Sequence, residues 1–369
     1  MAHLTFGEGE TGINTPRLQT GVAAYINRAG DIVVECAADI LSLSLFTVEG
    51  KMMAYKKCDG GDANHITPLT GSFISGAFKV TNNPQTVAVY KNGPFAGDGT
   101  SGSPWRITNA TDLNKLSELI NAGTAPYADA NKYYRLENNL NLTIVQNNVT
   151  PIGTESKPFK GNFNGNNKTI SGITINRTSK ETGLFGYIDG GTIQNLGLIN
   201  LSIQGGSDTG GIVGWLKLGN ITGCYVTGTV SGGSDTGGIA GRNYWDIYIN
   251  SIVENCVALN ISVNKTSTGT STGFGRVVGS YSGSTLTNNA AYSGMTLPDG
   301  VSITNNANQK DGIGIVKTET KDQSTYTTRG WGWGTTTASP WCWGLSNSYP
   351  LPTLHWQIIP PGDLPAHLR

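Results

Sequence analysis

Four stretches decide the fold: Thr182-Gly-Leu-Phe-Gly186, Thr209-Gly-Gly-Ile-Val-Gly214, Thr236-Gly-Gly-Ile-Ala-Gly241 and the looser Thr272-Gly-Phe-Gly-Arg-Val-Val-Gly279. The first two intervals between their threonines are 27 residues and the third is 36. The excess in the third fits loops at Arg242 to Asn250 and at Lys265 to Ser271. Each repeat then carries a second apolar segment: Ile193-Gln-Asn-Leu196, Ile221-Thr-Gly-Cys224, Val253-Glu-Asn-Cys256 and Leu286-Thr-Asn-Asn289. A unit of this size, with short β-type runs and no helical period, cannot bury its own apolar face and must stack on copies of itself. One closed coil of a parallel β-solenoid accommodates it, with extended residues rising about 3.3 Å each. Glycines with positive φ are expected at the corners, where a Cβ would clash.

Equivalent side chains of successive coils then form inward ladders. Leu196, Cys224 and Cys256 make one such set, and the two cysteines read as small core hydrophobes, because a disulfide between stacked neighbours has narrow geometric requirements. Upstream, Phe159, Phe163, Ile170, Ile173 and Ile175 read as the inward residues of the first coils. Thr111 to Gly123 predicts one helix, capped by Thr111, with Leu113, Leu116 and Ile120 on one face and Gly123 ending it. Such a helix would cover the open edge of the first coil.

The chain divides by texture. Residues 1–20 read as a flexible segment. Residues 21–93 alternate apolar and polar side chains between Gly, Asn and Asp turns, which predicts a small antiparallel β-sandwich. Residues 94–128 are a Gly/Ser/Pro-rich linker and the capping helix, 129–300 the solenoid, and 301–369 a Trp-rich cap and tail. The fold class expected is therefore all-β: a parallel β-solenoid with a small N-terminal antiparallel β-sandwich and one short capping helix.

Composition narrows the function. Lys+Arg and Asp+Glu are both 25 in 369 residues, only 14% of residues are charged, and 51 are glycine. A balanced, weakly charged chain lacks the clustered positive charge that nucleic acids or anionic membranes recruit. No apolar run approaches the roughly 18 residues of a spanning helix. The N-terminus lacks a basic segment followed by an apolar run, so no signal peptide is expected in the sequence itself. Five cysteines, odd in number and without a C-x-x-C pair, suggest neither a disulfide framework nor a zinc site.

The order of motifs carries a resemblance. Gly97-Asp-Gly-Thr-Ser-Gly-Ser-Pro-Trp-Arg-Ile107, the Leu-rich helix, Tyr133-Tyr-Arg-Leu-Glu-Asn-Asn-Leu-Asn-Leu142, Pro151-Ile-Gly153 and Phe159-x3-Phe-Asn-Gly-x-Asn-Lys-Thr-Ile170 precede the glycine repeats. From about Phe95 to about Gln357 the chain resembles the bacterial GLUG-repeat surface proteins, and Ser348-Tyr-Pro-Leu-Pro-Thr-Leu-His-Trp-Gln357 resembles the ending of those solenoids. The resemblance implies an exported β-solenoid, commonly regarded as an adhesin. Leu43-Ser-Leu-Phe-Thr-Val-Glu-Gly-Lys51 resembles the core of immunoglobulin-like modules of bacterial surface proteins, here placed as a spacer.

Chemistry-bearing patterns are few. His3, His65, His355 and His367 all lie outside the coils, and no H-E-x-x-H, G-x-S-x-G or G-x-x-x-x-G-K-[ST] motif occurs. The N-x-[ST] triplets carry no weight in a chain this rich in Asn, Ser and Thr. Glu181, Asp208 and Asp235 each precede the repeat's threonine, so stacking places them in a column about 4.8 Å apart. Such a column reads first as turn chemistry, second as a cation site and last as a carboxylate pair for glycoside hydrolysis. Trp331, Trp333, Trp341 and Trp343 are the candidate ligand-binding residues, since W-G-W and W-C-W place two indoles on one side of a strand; alternatively they cap the solenoid. The expectation is a non-enzymatic, exported bacterial surface protein, an adhesin for an extracellular glycan or a matrix or host surface protein. Neither cofactor, metal, nucleic acid nor membrane span is expected. The alternatives are a polysaccharide lyase or glycosidase on the same scaffold, or a ligand-free spacer.

Overall fold

The computed structural model describes residues 94–143, 148–244, 250–266 and 273–327, together with the backbone of strands Val22–Ile26, Ile32–Cys36, Ser42–Phe46, Met52–Lys57, Gly76–Asn82, Gln85–Lys91, Trp341–Trp343 and Pro352–Leu354. Two compact units are present, Met1–Ala96 and Gly97–Arg369. In the first, Val22–Ile26 pairs antiparallel with Ile32–Cys36, and the other four strands form an antiparallel sheet in which Ser42–Phe46 lies between Met52–Lys57 and Gly76–Asn82.

The second unit is a parallel β-solenoid of about six turns. One coil shows the pattern. Ser207–Gly210 lies on a narrow face, Val213–Lys217 on a second face, and Asn220–Thr222 and Tyr225–Gly232 on a long face. The next coil repeats it in parallel register: Thr209 opposite Thr236, Val213 opposite Ala240, Ile221 opposite Val253 and Val230 opposite Val263. Inward columns are dry. Leu184, Ile212, Ile239 and Val277 are fully buried, as are Ile193, Ile221, Val253, Leu196, Cys224 and Cys256. The expected inward residues Phe159, Phe163, Ile170, Ile173 and Ile175 are buried too. Aromatic rings run up the first coils, with centroid separations of 5.2 Å for Trp105–Tyr134, 5.8 Å for Tyr134–Phe159 and 5.0 Å for Phe159–Phe185.

Corners differ from expectation. At the bend inside the long face the left-handed residue is Asn195, Gly223, Asn255 or Asn288, with φ between 52° and 61°. Asparagine tolerates this region better than other side-chain-bearing residues and so serves where glycine was expected. The motif glycines have another task. A Cβ on Gly211 would lie 2.4 Å from the Gly238 carbonyl oxygen, and one on Gly241 2.4 Å from the Thr209 nitrogen. These glycines let one coil approach the next.

The fourth repeat also needs correction. Phe274, not Thr272, lies opposite Thr236, and Val278 lies opposite Ala240, so the last interval is 38 residues rather than 36. Register shows where the excess enters. The offset rises from 27 at Trp215–Arg242 to 32 at Asn220–Ile252, and from 33 at Gly232–Lys265 to 38 at Thr236–Phe274, so the extra residues enter within the two predicted stretches. Sequence alignment on Thr-Gly misplaced the coil because the letters of Thr272-Gly273 copy the motif two residues ahead of the pairing position, Phe274.

The N-terminal end is covered by the helix Ala110–Ala122, whose Leu113, Leu116 and Ile120 are buried. Its cap is Asn109 rather than Thr111. The Asn109 side chain accepts from the Asp112 N–H at 2.9 Å, while Asp112 Oδ2 accepts from the Thr108 N–H at 2.7 Å, a reciprocal arrangement that satisfies two orphan donors. Gly123 ends the helix with φ 68°. Ser117 and Asn121 tie the helix to the Thr150–Gly153 turn: Asn121 Nδ2 donates to the Pro151 carbonyl at 2.9 Å and Oδ1 accepts from the Gly153 N–H at 2.8 Å.

At the far end, Arg276 stands where earlier coils have Gly211 and Gly238. Its side chain, 2% exposed, donates from Nε to the Asp311 carbonyl at 3.1 Å and from Nη2 to the Gly312 carbonyl at 3.0 Å and Asn305 Oδ1 at 3.2 Å. Asp311 answers by accepting the Arg276 and Thr304 N–H groups. The segment from Thr304 to Gly312 is thereby held over the last coil.

Candidate functional site

The column Glu181, Asp208 and Asp235 forms as the spacing required, and all three residues are left-handed, with φ of 60°, 58° and 46°. That is turn chemistry. In the next coil Gly273 takes the same place with φ 71°, and a Cβ there would meet Asp235 Oδ1 at 2.2 Å.

The column is not a set of free carboxylates. Arg242 lies across two coils, its Nε 2.8 Å from Asp208 Oδ1 and its Nη2 2.7 Å from Asp235 Oδ2. Lys180 holds Glu181 at 3.2 Å and Glu155 at 2.9 Å. The Arg242 guanidinium also sits 4.7 Å from the Trp215 ring centroid, whose other neighbour is Tyr187 at 5.2 Å. Tyr187, Trp215 and Arg242 are in register on the second face, so the indole has an aromatic ring on one side and a cation on the other.

Electrostatics follow from this enclosure. Burial pushes the Asp208 carboxyl up to about 6 against the pull of Arg242, with the Asp235 and Glu181 charges adding to the rise. For Arg242, burial opposes its charge, but the hydrogen bond to Asp235 and the Asp208 charge outweigh it and raise its pKa. A guanidinium thus occupies the position that a cation would take between Asp208 and Asp235, and both carboxylates of the hydrolytic reading share it. Among the described residues, no group of three or more His, Cys, Asp or Glu side chains is arranged to hold a metal ion.

Sequence reading missed Arg242, Trp215 and Tyr187, although their signal was periodic. Each follows the final glycine of a motif: Gly186-Tyr187, Gly214-Trp215, Gly241-Arg242. The candidate Trp331 and Trp333 lie outside the described residues. Trp341–Trp343 forms a strand antiparallel to Pro352–Leu354, and the side chains of Trp341 and Trp343 also lie outside the described residues.

A second outward feature covers the long face. Thr174, Ser202 and Thr229 are in register through three coils, with the buried Ser262 continuing the column, and two residues along each strand Asn176, Gln204, Ser231 and Asn264 are in register through four. Between them the inward column Ile175, Ile203, Val230 and Val263 is buried. The result is a lattice of hydroxyls and amides, spaced about 4.8 Å along the axis and about 6.6 Å along the strand, with no charged member. Asn264 Nδ2 donates to Ser262 Oγ at 2.8 Å.

No family model matches the chain. It is 28% identical over 208 residues to halomucin of Haloquadratum walsbyi, covering 55% of this chain and 2% of that protein. It is 31% identical over 141 residues to a candidate Gly-rich membrane protein of Evansella cellulosilytica, covering 36% of this chain and 15% of that protein. The chain therefore spans a small part of the length of either relative. A solved structure of a candidate immunoglobulin A1 protease from Bacteroides ovatus superimposes with a TM-score of 0.40 at 16% identity, over 72% of this chain and 96% of that one. No helix among the described residues is long and apolar enough to cross a membrane.

Proposed function

We propose that the chain is a non-enzymatic, exported surface protein that binds an extended glycan or matrix polymer along its solenoid. The lattice on the long face carries this reading: uncharged groups repeat at one coil spacing, over three coils from Thr174 to Thr229 and over four from Asn176 to Asn264, and offer a linear polymer successive equivalent hydrogen-bond sites. Two further features support it. The best carboxylate constellation is bound to Arg242 and Lys180, which favours binding over hydrolysis. The likeness to stretches of a halomucin and of a Gly-rich membrane protein fits a surface setting, as does the GLUG-repeat resemblance.

The test is binding of labelled full-length protein to arrayed glycans and matrix proteins, with a Ser202→Arg/Ser231→Arg variant and a Trp331→Ala/Trp333→Ala variant alongside. Saturable binding lost only in the first variant places the ligand on the long face. Loss only in the second moves it to the tail, and absence of binding by the unmodified protein overturns the reading in favour of a spacer.

A further inference from the structure

Cys224 and Cys256 occupy the same corner of consecutive coils, each directly after a left-handed residue, Gly223 with φ 61° and Asn255 with φ 52°. Both side chains are fully buried and both thiols are free. Each donates to a carbonyl of its own coil, Cys224 Sγ to Thr222 at 3.3 Å and Cys256 Sγ to Glu254 at 3.2 Å. Pairing of Asn220–Thr222 with Ile252–Glu254 and of Tyr225 with Val257 fixes them in register. Their Cα atoms are therefore one strand spacing apart, about 4.8 Å, inside the window of about 4.4–6.8 Å that disulfides span.

We propose that Cys224 and Cys256 are an oxidation site, closing to a disulfide that staples two adjacent coils when the chain folds under oxidising conditions. The export reading above supplies those conditions in nature, and the chemistry itself does not depend on it. The oxidant is a small-molecule disulfide such as oxidised glutathione. One cysteine thiolate attacks it, giving a mixed disulfide and releasing one glutathione thiol; the second cysteine thiolate then attacks the mixed disulfide and releases the other. Two protein S–H bonds are lost, one S–S bond is formed, and the two electrons and two protons end on two glutathione thiols. Burial and the neighbouring Cys224 raise the Cys256 pKa, so in the folded protein the Cys256 thiol stays protonated and unreactive. Oxidation belongs to the folding chain, before the coils shut.

The experiment uses full-length protein carrying Cys36→Ser, Cys58→Ser and Cys342→Ser, so that only this pair remains. It is refolded from denaturant in glutathione redox buffer or in excess reductant, alkylated and digested. The expected result is a linked peptide pair two hydrogens lighter than the separate peptides, native circular dichroism, and a urea midpoint that falls on reduction but does not respond to reductant in a Cys224→Ala version. Alkylation of both Cys224 and Cys256 after oxidative refolding to native circular dichroism would overturn the proposal. So would a cross-linked species lacking native circular dichroism, because the bond would then be incompatible with the stack. Loss of polymer binding on the array leaves this result untouched, so the two readings fail separately.

Discussion

The coil from Ser207 to Gly232 and the coil from Gly273 to Tyr292 are built on the same plan, yet the first is followed by another full coil and the second by the Thr304–Gly312 segment and one short parallel strand, Ile313–Ile315. The first carries Asp208, Gly210, Gly211 and Cys224; the second carries Gly273, Gly275, Arg276 and Asn289 at the matching places. In the propagating coil the buried polar side chains are Asp208, Thr209 and Thr227, and Gly211, lacking a Cβ, leaves room for the next backbone to lie directly on top. In the terminal coil two polar side chains enter that space. Arg276 reaches the Thr304–Gly312 segment, and Asn289 turns back, accepting the Cys256 N–H at 3.0 Å and donating to the Val253 carbonyl at 2.8 Å. Backbone groups of the last coil, the Val277, Val278 and Asn289 N–H groups among them, are then satisfied by the Lys310 and Ala307 carbonyls of the covering segment instead of by a further coil.

Four perturbations would break or sharpen this contrast. The largest effect is expected for Arg276→Ala, which strips the clasp from the last coil and leaves its carbonyl partners buried. A loss of about 3 kcal/mol or more is expected in urea unfolding, with end-on association visible by size-exclusion chromatography. Unchanged stability would mean that the clasp is incidental. Next, Gly241→Ala forces a methyl group against the neighbouring backbone and is expected to cost about 2–3 kcal/mol. Gly102→Ala, where a Cβ meets nothing within 4 Å, is the control and should leave the midpoint in place.

Asp208 gives a smaller effect with a definite sign. Its carboxyl sits at about 6 in the folded protein and returns toward 3.8 on unfolding. The folded state therefore binds the proton more tightly, so stability increases as pH falls from above 6 toward 4. The gain is on the order of 1 kcal/mol once solvent screening is allowed for. Denaturant midpoints measured from pH 7.5 to 4.5 should rise in the wild type relative to Asp208→Asn, in which this contribution disappears. Asn243→Leu is the mildest. Asn243 is fully buried between Leu216 and Tyr281 in register, and among the described residues neither of its amide atoms has a partner. Removing that unpaired group should stabilise the protein by about 1 kcal/mol, read by calorimetry.

Periodicity made the stack, its inward columns and its two insertions legible, because a 27-residue repeat leaves few other ways to bury Ile193, Ile221 and Val253. Local chemistry was harder to read. Thr111 looks like a cap, but Asn109 wins because Asp112, three residues later, completes the reciprocal bonds to Thr108. Thr272-Gly273 mimics the motif while pairing decides that Phe274 holds the register. The column of Glu181, Asp208 and Asp235 was visible; the guanidinium that closes it was not. Arg242 acts on carboxylates from two different coils, a relation that exists only once the coils are stacked.

The stack itself is the central claim, and spin labels test it most directly. Gln204 and Asn264 face outward two coils apart in the same column, through Ser231. With Cys36, Cys58 and Cys342 replaced by serine, nitroxides on Gln204→Cys and Asn264→Cys should lie about 10 Å apart, two strand spacings. That separation predicts strong dipolar broadening in the continuous-wave EPR spectrum relative to each single label. A doubly labelled, folded protein whose spectrum equals the sum of the two single-label spectra would contradict the account.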